Sequence, residues 1–343
     1  MLPTKNNKSK TSSDRVDIVL ATYNGESYIA EQLDSIIQQT HANWKLIIRD
    51  DGSKDRTKEI LKKYSLKDER IFIIEDNNGN LGFNKNFLTL ISKTSANYIS
   101  ICDQDDVWLP EKVSLSLEKI KEIENLGITP ALVHCDAMIV DQNLNVIANR
   151  WIGNRGNVLG VNGLVFANSV QGAATLMNDS LKKIALSISP ELPYDYHLAL
   201  LALFRGRRGY IDQPLLKYRQ HGSNVIGALD SKTKLGFKHY SKQLLDIFRS
   251  IRLNLKFSDL TSSLQFGISA YKQIKFKYSV DSTVPENKQK LETYFYLFEG
   301  NNRFVKIFIY LKRPFAFSRK KDYLMFLLLL LLGKDLKNPQ SWK

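Results

Sequence analysis

The sequence predicts an α/β fold, a Rossmann-like mixed sheet flanked by helices, with a helical appendage at its C-terminal end. Three observations carry this expectation. Short apolar runs rich in β-formers alternate with helical periodicity through the first half of the chain. Polar, glycine-containing loops follow several of those runs and should all open on one sheet edge. The final third turns helical and basic.

The elements follow in order. Residues 1–14 are polar and basic, expected as a disordered tail without the apolar segment of a secretion signal. Residues 16–20 form a strand, 21–25 a turn, and Ile29, Leu33, Ile36 and Ile37 mark a helix face. A second strand over 44–48 ends on Arg49-Asp50-Asp51-Gly52-Ser53. A helix through Thr57, Ile60 and Leu61 follows, with Ser53 or Asp55 as its expected N-cap. Residues 71–74 are a third strand, 77–82 a glycine-containing loop, and Phe87 and Leu90 sit on the next helix. The fourth strand, 98–102, ends on Asp103-Gln104-Asp105-Asp106-Val107-Trp108-Leu109-Pro110, and Pro110 opens a helix through Val113, Leu115 and Leu117. Further on, 131–136 is a strand, 141–143 a hairpin turn, and 171–178 a strand rich in small residues, suited to passing under a ligand. Asp195 opens an apolar helix, 215–218 is a strand, and 219–224 is a loop. From 231 onward helices are expected over 240–255, 264–275, 288–298, 304–311 and 323–332. The chain thus divides into a tail (1–14), an α/β domain (15–230) and a basic helical region (231–343).

Three carboxylates within four residues repel one another unless something positive lies between them. A divalent cation with hard oxygen ligands, Mg²⁺ or Mn²⁺, holding a substrate phosphate, meets that need. The alternative is a solvated acidic turn in which Asp106 caps the next helix. Thr22-Tyr23-Asn24-Gly25 offers backbone N–H groups at a helix start, suited to phosphate. Asp51 can accept from a base N3–H or from ribose hydroxyls, and the 77–82 loop offers close backbone approach. No G-x-G-x-x-G follows the first strand, which argues against a dinucleotide fold.

Charge is uneven. The net +14 arises wholly after residue 230: residues 1–230 carry 27 Lys+Arg and 27 Asp+Glu, residues 231–343 carry 22 and 8. A basic back suggests a polyanionic surface. Leu324-Met325-Phe326 and the six leucines after it are too short a run to span a bilayer. Arg319, Lys320, Lys321 and Tyr323 beside them favour lying on a membrane, and a buried helix with a basic solvated face is the competing reading. Cys102 and Cys135 fall in expected core strands, consistent with a reduced cytosolic setting.

The ordered set Thr22-Tyr23-Asn24-Gly25, Arg49-Asp50-Asp51-Gly52-Ser53-Lys54-Asp55, Asn80-Leu81-Gly82 and Asp103-Gln104-Asp105-Asp106-Val107-Trp108 resembles the inverting glycosyltransferases of family 2, which have the GT-A fold. The resemblance covers roughly residues 15–225. The D-Q-D-D-x-W form is most similar to bacterial rhamnosyltransferases of polysaccharide assembly. The resemblance implies that Asp195 is the catalytic base, and an inverting transfer needs one such carboxylate; an N-terminal charge on the helix dipole is the plainer alternative. It implies nucleotide contacts from Thr22, Tyr23, Asn24, Asp51 and Asp103, and a metal on Asp103 and Asp105. Tyr-Arg-Gln-His at 218–221 implies that His221 binds the metal or the diphosphate, with Arg219 near phosphate. Asp106, Trp108, Gln171, Gly172, Tyr194 and Tyr196 are expected around the donor and acceptor sugars. The implied donor is dTDP-L-rhamnose, the implied acceptor a lipid-linked saccharide, and the implied location the cytoplasmic face of the cell membrane. A UDP-hexose or UDP-N-acetylhexosamine donor would use the same domain. A nucleotidyltransferase also gathers acids about Mg²⁺. A non-catalytic membrane or nucleic-acid module fits the basic tail, but the neutral front and its acidic pocket argue against nucleic acid.

Overall fold

The computed structural model describes residues 14–152, 164, 170–188, 192–222, 268, 274–275, 285–302, 304–306, 326, 329–330 and 336–337. The expected tail (residues 1–13), most of the loop beyond Gly222 and most of the expected C-terminal helices lie outside them.

The alternation read from the sequence becomes β1 (Val16–Thr22), α1 (Ile29–Ile37), β2 (Trp44–Asp50), α2 (Thr57–Lys67), β3 (Ile71–Ile73), α3 (Phe83–Ser92) and β4 (Tyr98–Cys102). After β4 come β5 (Val107–Trp108), α4 (Lys112–Asn125), β6 (Ala131–Val140), β7 (Val146–Ala148), β8 (Thr175–Asn178), α5 (Asp179–Ser187), α6 (Tyr194–Arg205), β9 (Arg207–Arg219) and α7 (Pro285–Glu299). One mixed sheet runs β3-β2-β1-β4-β8-β6-β9-β5, with β7 on β6. Strands β1 to β4 pair in parallel, β8 is antiparallel to both β4 and β6, and β6 pairs in parallel with β9. The carboxyl ends of β1, β2, β4, β6 and β9 therefore share one edge, as the loop chemistry required.

Period-two burial splits the core between two faces. Val16, Ile18 and Leu20 of β1 pack with Leu33 and Ile36 of α1 and with Val113, Leu117 and Ile120 of α4. Val19 points the other way, with Phe87 and Leu90 of α3 and the apolar length of α6. That second core also takes in Tyr294, Leu297 and Phe298 of α7, and Phe326, Leu329 and Leu330. These last three lie one helical turn apart and are buried. These three residues of the run are therefore core, with the Phe326 ring 6.4 Å from that of Phe298 on α7, and the rest of the run lies outside the described residues. No helix among the described residues is long and apolar enough to cross a membrane.

The expected strand over 171–178 divides. Gly172–Ala174 forms one 3₁₀ turn, closed by the Thr175 hydroxyl donating to the Gly172 carbonyl (2.7 Å), and β8 starts only afterwards.

Candidate active site

The site is built from loops that follow the parallel strands. Register places Thr22 beside Asp50 and Leu20 beside Cys102, so the first, second and acidic loops emerge side by side. Thr22 is buried and its hydroxyl donates to Asp50 Oδ2 (3.0 Å). Its side chain is thus a strut, and the exposed face of this loop falls to Tyr23, 49% exposed, and Asn24. Asn24 adopts a left-handed φ of 48°. It is held there by its N–H on Ser53 Oγ (2.8 Å) and by Lys54 N–H on its Oδ1 (2.8 Å). Asp55, expected as a possible cap, accepts from the Thr57 N–H (3.0 Å) and hydroxyl (2.5 Å).

Asp51 is the anchor of the 77–82 loop. Its carboxylate accepts from Arg49 Nη1 (2.6 Å), Leu81 N–H (2.8 Å) and Gly82 N–H (2.8 Å). Arg49 is itself buried and bridges to Asp76, holding that carboxyl down to about 2. Gly82 adopts φ 73°, a conformation that favours glycine, where α3 begins.

At the end of β4 the carboxylates crowd as expected. Burial and, after it, the charges of Asp105 and Asp195 push the Asp103 carboxyl up to about 8. Asp195 therefore stands within electrostatic reach of Asp103, although 92 residues separate them in sequence. Its helix is placed by α3: Asn84 Oδ1 accepts the Tyr194 N–H (2.9 Å), and Asn84 Nδ2 donates to the Leu192 carbonyl (3.3 Å). Asp195 lies in the first turn of α6, half-buried, and accepts the Tyr196 N–H at 2.7 Å. His221 Nε2 lies 2.9 Å from Asp105 Oδ2, and its ring packs on Tyr28 with centroids 4.7 Å apart.

Several expected sugar contacts are corrected. Trp108 is 2% exposed, and its ring lies under the Lys112 Nζ (3.6 Å) in the core. Asp106 is fully buried. It does not cap α4, which starts at Lys112; its Oδ1 accepts the Arg219 N–H (3.2 Å), and burial with Asp105 and Asp103 raises its pKa strongly. Tyr194 is buried between Phe83 and Phe87, with its hydroxyl over Gly172, where a Cβ would overlap it. Tyr196 is wholly in the core. Sequence proximity to acids suggested a subsite, but the partners that bury these rings come from distant elements. Gln171 remains a candidate: it is half-buried, and both polar atoms of its amide lack hydrogen-bond partners.

Arg219 also serves the fold. It is 1% exposed; its guanidinium donates to the Asp105 carbonyl (2.8 Å) and the Gln142 carbonyl (2.6 Å), pairs with Glu31, and lies over Tyr28. It ties the acidic loop to α1 and to the β6–β7 hairpin. Glu31, Tyr28, Asn84 and Lys112 carried no sequence signal, because none belongs to a spacing pattern, and Gln104 was legible only as part of the D-Q-D-D-x-W form, without a role of its own. Tyr218 had one, sitting in the Tyr-Arg-Gln-His segment; burial, then Asp106 and Asp103, raise its pKa, so it borders the acidic cluster.

Among the described residues no group of three or more His, Cys, Asp or Glu is already gathered to hold a metal ion. The donor chemistry nevertheless fits one. Oxygen ligands predominate, burial and then the charges of Asp105 and Asp195 raise the Asp103 pKa, and Asp106 Oδ2 is buried without a hydrogen-bond partner.

Comparison with known proteins agrees with this geometry. Residues 17–183 match the model of glycosyl transferase family 2. The dTDP-rhamnosyl transferase RfbG of Shigella flexneri is 30% identical over 66% of this chain and 78% of its own length. An uncharacterized glycosyltransferase of Haemophilus influenzae is 26% identical over 73% of this chain and 79% of its own. The match to glycosyltransferase GlyA of Streptococcus pneumoniae (36% identity) spans only 16% of that protein, and that to the putative teichuronic acid biosynthesis glycosyltransferase TuaG of Bacillus subtilis (34%) spans 42%. Among solved structures, Staphylococcus aureus TarS 1–349 in complex with UDP superposes with a TM-score of 0.51, covering 93% of this chain and 92% of that one at 14% identity. The fold is thus of the GT-A kind, a mixed sheet whose loops meet on one edge. The chain belongs to glycosyltransferase family 2.

Proposed function

We propose that the protein is a metal-dependent inverting glycosyltransferase that moves a sugar, L-rhamnose from dTDP-L-rhamnose, to a saccharide acceptor. The observation that carries the reading is the convergence of Asp103, Asp105 and Asp195 at the carboxyl end of β4, close enough that the charges of the latter two add to burial in raising the pKa of the first. Tyr23 and Asn24, with Asp51 behind them, face the nucleoside. Asp103 and Asp105, with His221, would hold a divalent ion, Mg²⁺ or Mn²⁺, and the chemistry such an ion supplies is neutralisation of the leaving nucleoside diphosphate. Asp195 takes the proton from the acceptor hydroxyl as its oxygen attacks C1. The C1–O bond to phosphate breaks on the opposite face, and configuration inverts. Gln171, whose amide groups lack partners, orients a sugar hydroxyl in this reading.

The name of the RfbG relative and the D-Q-D-D-x-W form support rhamnose. A UDP-N-acetylhexosamine donor is the second reading, favoured by the fold likeness to TarS, which was solved with UDP-GlcNAc. The basic region after residue 230 supports a lipid-linked acceptor and peripheral residence on the cytoplasmic face of the membrane, since surface residence raises effective concentration. Incubation with dTDP-L-rhamnose or UDP-GlcNAc, Mn²⁺ and a lipid extract of the host tests the donor. Release of dTDP alone supports rhamnose, release of UDP transfers the reading to the second donor, and release of neither, with or without Mn²⁺, contradicts the assignment.

A further inference from the structure

The middle residue of Asp103-Gln104-Asp105 has no part in the reading above, yet its side chain has a defined place. Gln104 Oε1 accepts from the Tyr23 N–H (2.9 Å), and Gln104 Nε2 donates to the Tyr23 carbonyl (3.1 Å). One primary amide thus pairs in both directions with the backbone of one residue, as a neighbouring strand would. The approach depends on Gly25, where a Cβ would overlap the Gln104 amide. The other flank of the same loop is held by Ser53 and Lys54 on Asn24, and by Thr57 Oγ1 on the Gly25 N–H (2.8 Å). The segment carrying the exposed Tyr23 ring is therefore suspended between two loops, and one of its two supports stands between two carboxylates.

We infer that Gln104 is a positioning residue that couples the nucleotide-facing loop to the acidic loop. The inference rests on the donor site proposed above. Movement of Asp103 or Asp105 carries Gln104 with it, and two hydrogen bonds pass that movement to the Tyr23 backbone. A ligand that fixes one loop pre-organises the other, and the coupling is reciprocal. The amide does this without charge, so it adds nothing to the repulsion among its neighbours.

The test is calorimetric titration of the full chain with dTDP and with UDP, each with and without Mn²⁺. The proteins are wild type, Gln104→Ala, Gly25→Ala and the double variant. Each single change should weaken binding of the preferred nucleotide roughly tenfold, the loss of two neutral hydrogen bonds. The double variant should be no weaker than either single, because both remove one contact. The factor by which Mn²⁺ tightens binding should shrink in Gln104→Ala while the melting temperature of the free protein stays put, which separates positioning from general destabilisation. Should Gly25→Ala fold poorly, Gln104→Met supplies a second loss of the clamp. Binding by Gln104→Ala within about twofold of wild type, effects that multiply in the double variant, or an unchanged Mn²⁺ factor would overturn the coupling. Wild-type protein that binds neither nucleotide would overturn the donor site itself.

Discussion

Asp195 and Arg49 show how differently two charged residues can serve one site. Asp195 is half-buried at a helix start, beside the acidic loop, whereas Arg49 is buried and bridges Asp51 and Asp76. Asp195→Asn is expected to leave nucleotide binding unchanged and to lower turnover at least a hundredfold, the usual scale of a general base; a turnover assay with parallel titration decides this, and equal turnover refutes the base assignment. Arg49→Met strands the buried Asp51 carboxylate without its cation and should cost about 3 kcal/mol of unfolding free energy, read by urea titration. The same change alters the acid limb. Asp76 is depressed to about 2, so its contribution is present above its ordinary value and is lost as pH falls toward 2. Without Arg49 that loss should be smaller. At this scale the carboxylates were legible in the sequence because like charges in a row demand a partner. The buried aromatics were not: Tyr194 and Trp108 were expected around the sugars, and their burial depends on Phe83, Gly172 and Lys112 arriving from elsewhere in the chain.

Among the elements, β6 carries the clearest consequence. His134 is fully buried on it, neither ring nitrogen has a hydrogen-bond partner, and Tyr210 of β9 lies 5.2 Å away, centroid to centroid. Burial first, then the Arg208 charge, lower its pKa to about 3 against the pull of Asp136. A histidine that refuses a proton in the folded state but takes one when unfolded destabilises the fold as pH drops below its ordinary value. Stability should fall by about 2 kcal/mol between pH ~7.5 and ~5 from this group alone. His134→Phe should flatten the slope in urea midpoints measured across that range; an unchanged slope would assign the acid sensitivity to other groups. The strands β1, β2 and β4 were legible from apolar runs bounded by turns. The short β5 and the 3₁₀ turn at Gly172 were not, since pairing of Val107 and Trp108 with β9 and the close approach of Tyr194 are set by tertiary contacts.

For the molecule as a whole, the sequence showed where charge and leucines accumulate but not which way they face. Phe326, Leu329 and Leu330 share a core with α6 and α7, so the end of the chain contributes to the stability of the site-bearing sheet. Phe326→Ala should cost about 3 kcal/mol, as large core truncations do. Deletion from Tyr323 onward should lower the melting temperature of the α/β domain itself; a deletion that leaves melting intact and only releases protein from anionic vesicles would support the lipid-facing reading. Membrane residence that draws on the basic charge after residue 230 should weaken as salt is raised.

The most direct test of the central claim, that one sheet edge binds a metal and a nucleotide sugar together, is a thermal-shift comparison of dTDP-L-rhamnose with UDP-sugars, with and without Mn²⁺. A ligand that binds only the folded state raises the melting temperature, and the stabilisation grows with the logarithm of its excess over Kd. The account predicts a Mn²⁺-dependent rise with dTDP-L-rhamnose that exceeds the rise with any UDP-sugar. No rise with any nucleotide sugar, in the presence or absence of Mn²⁺, would contradict it.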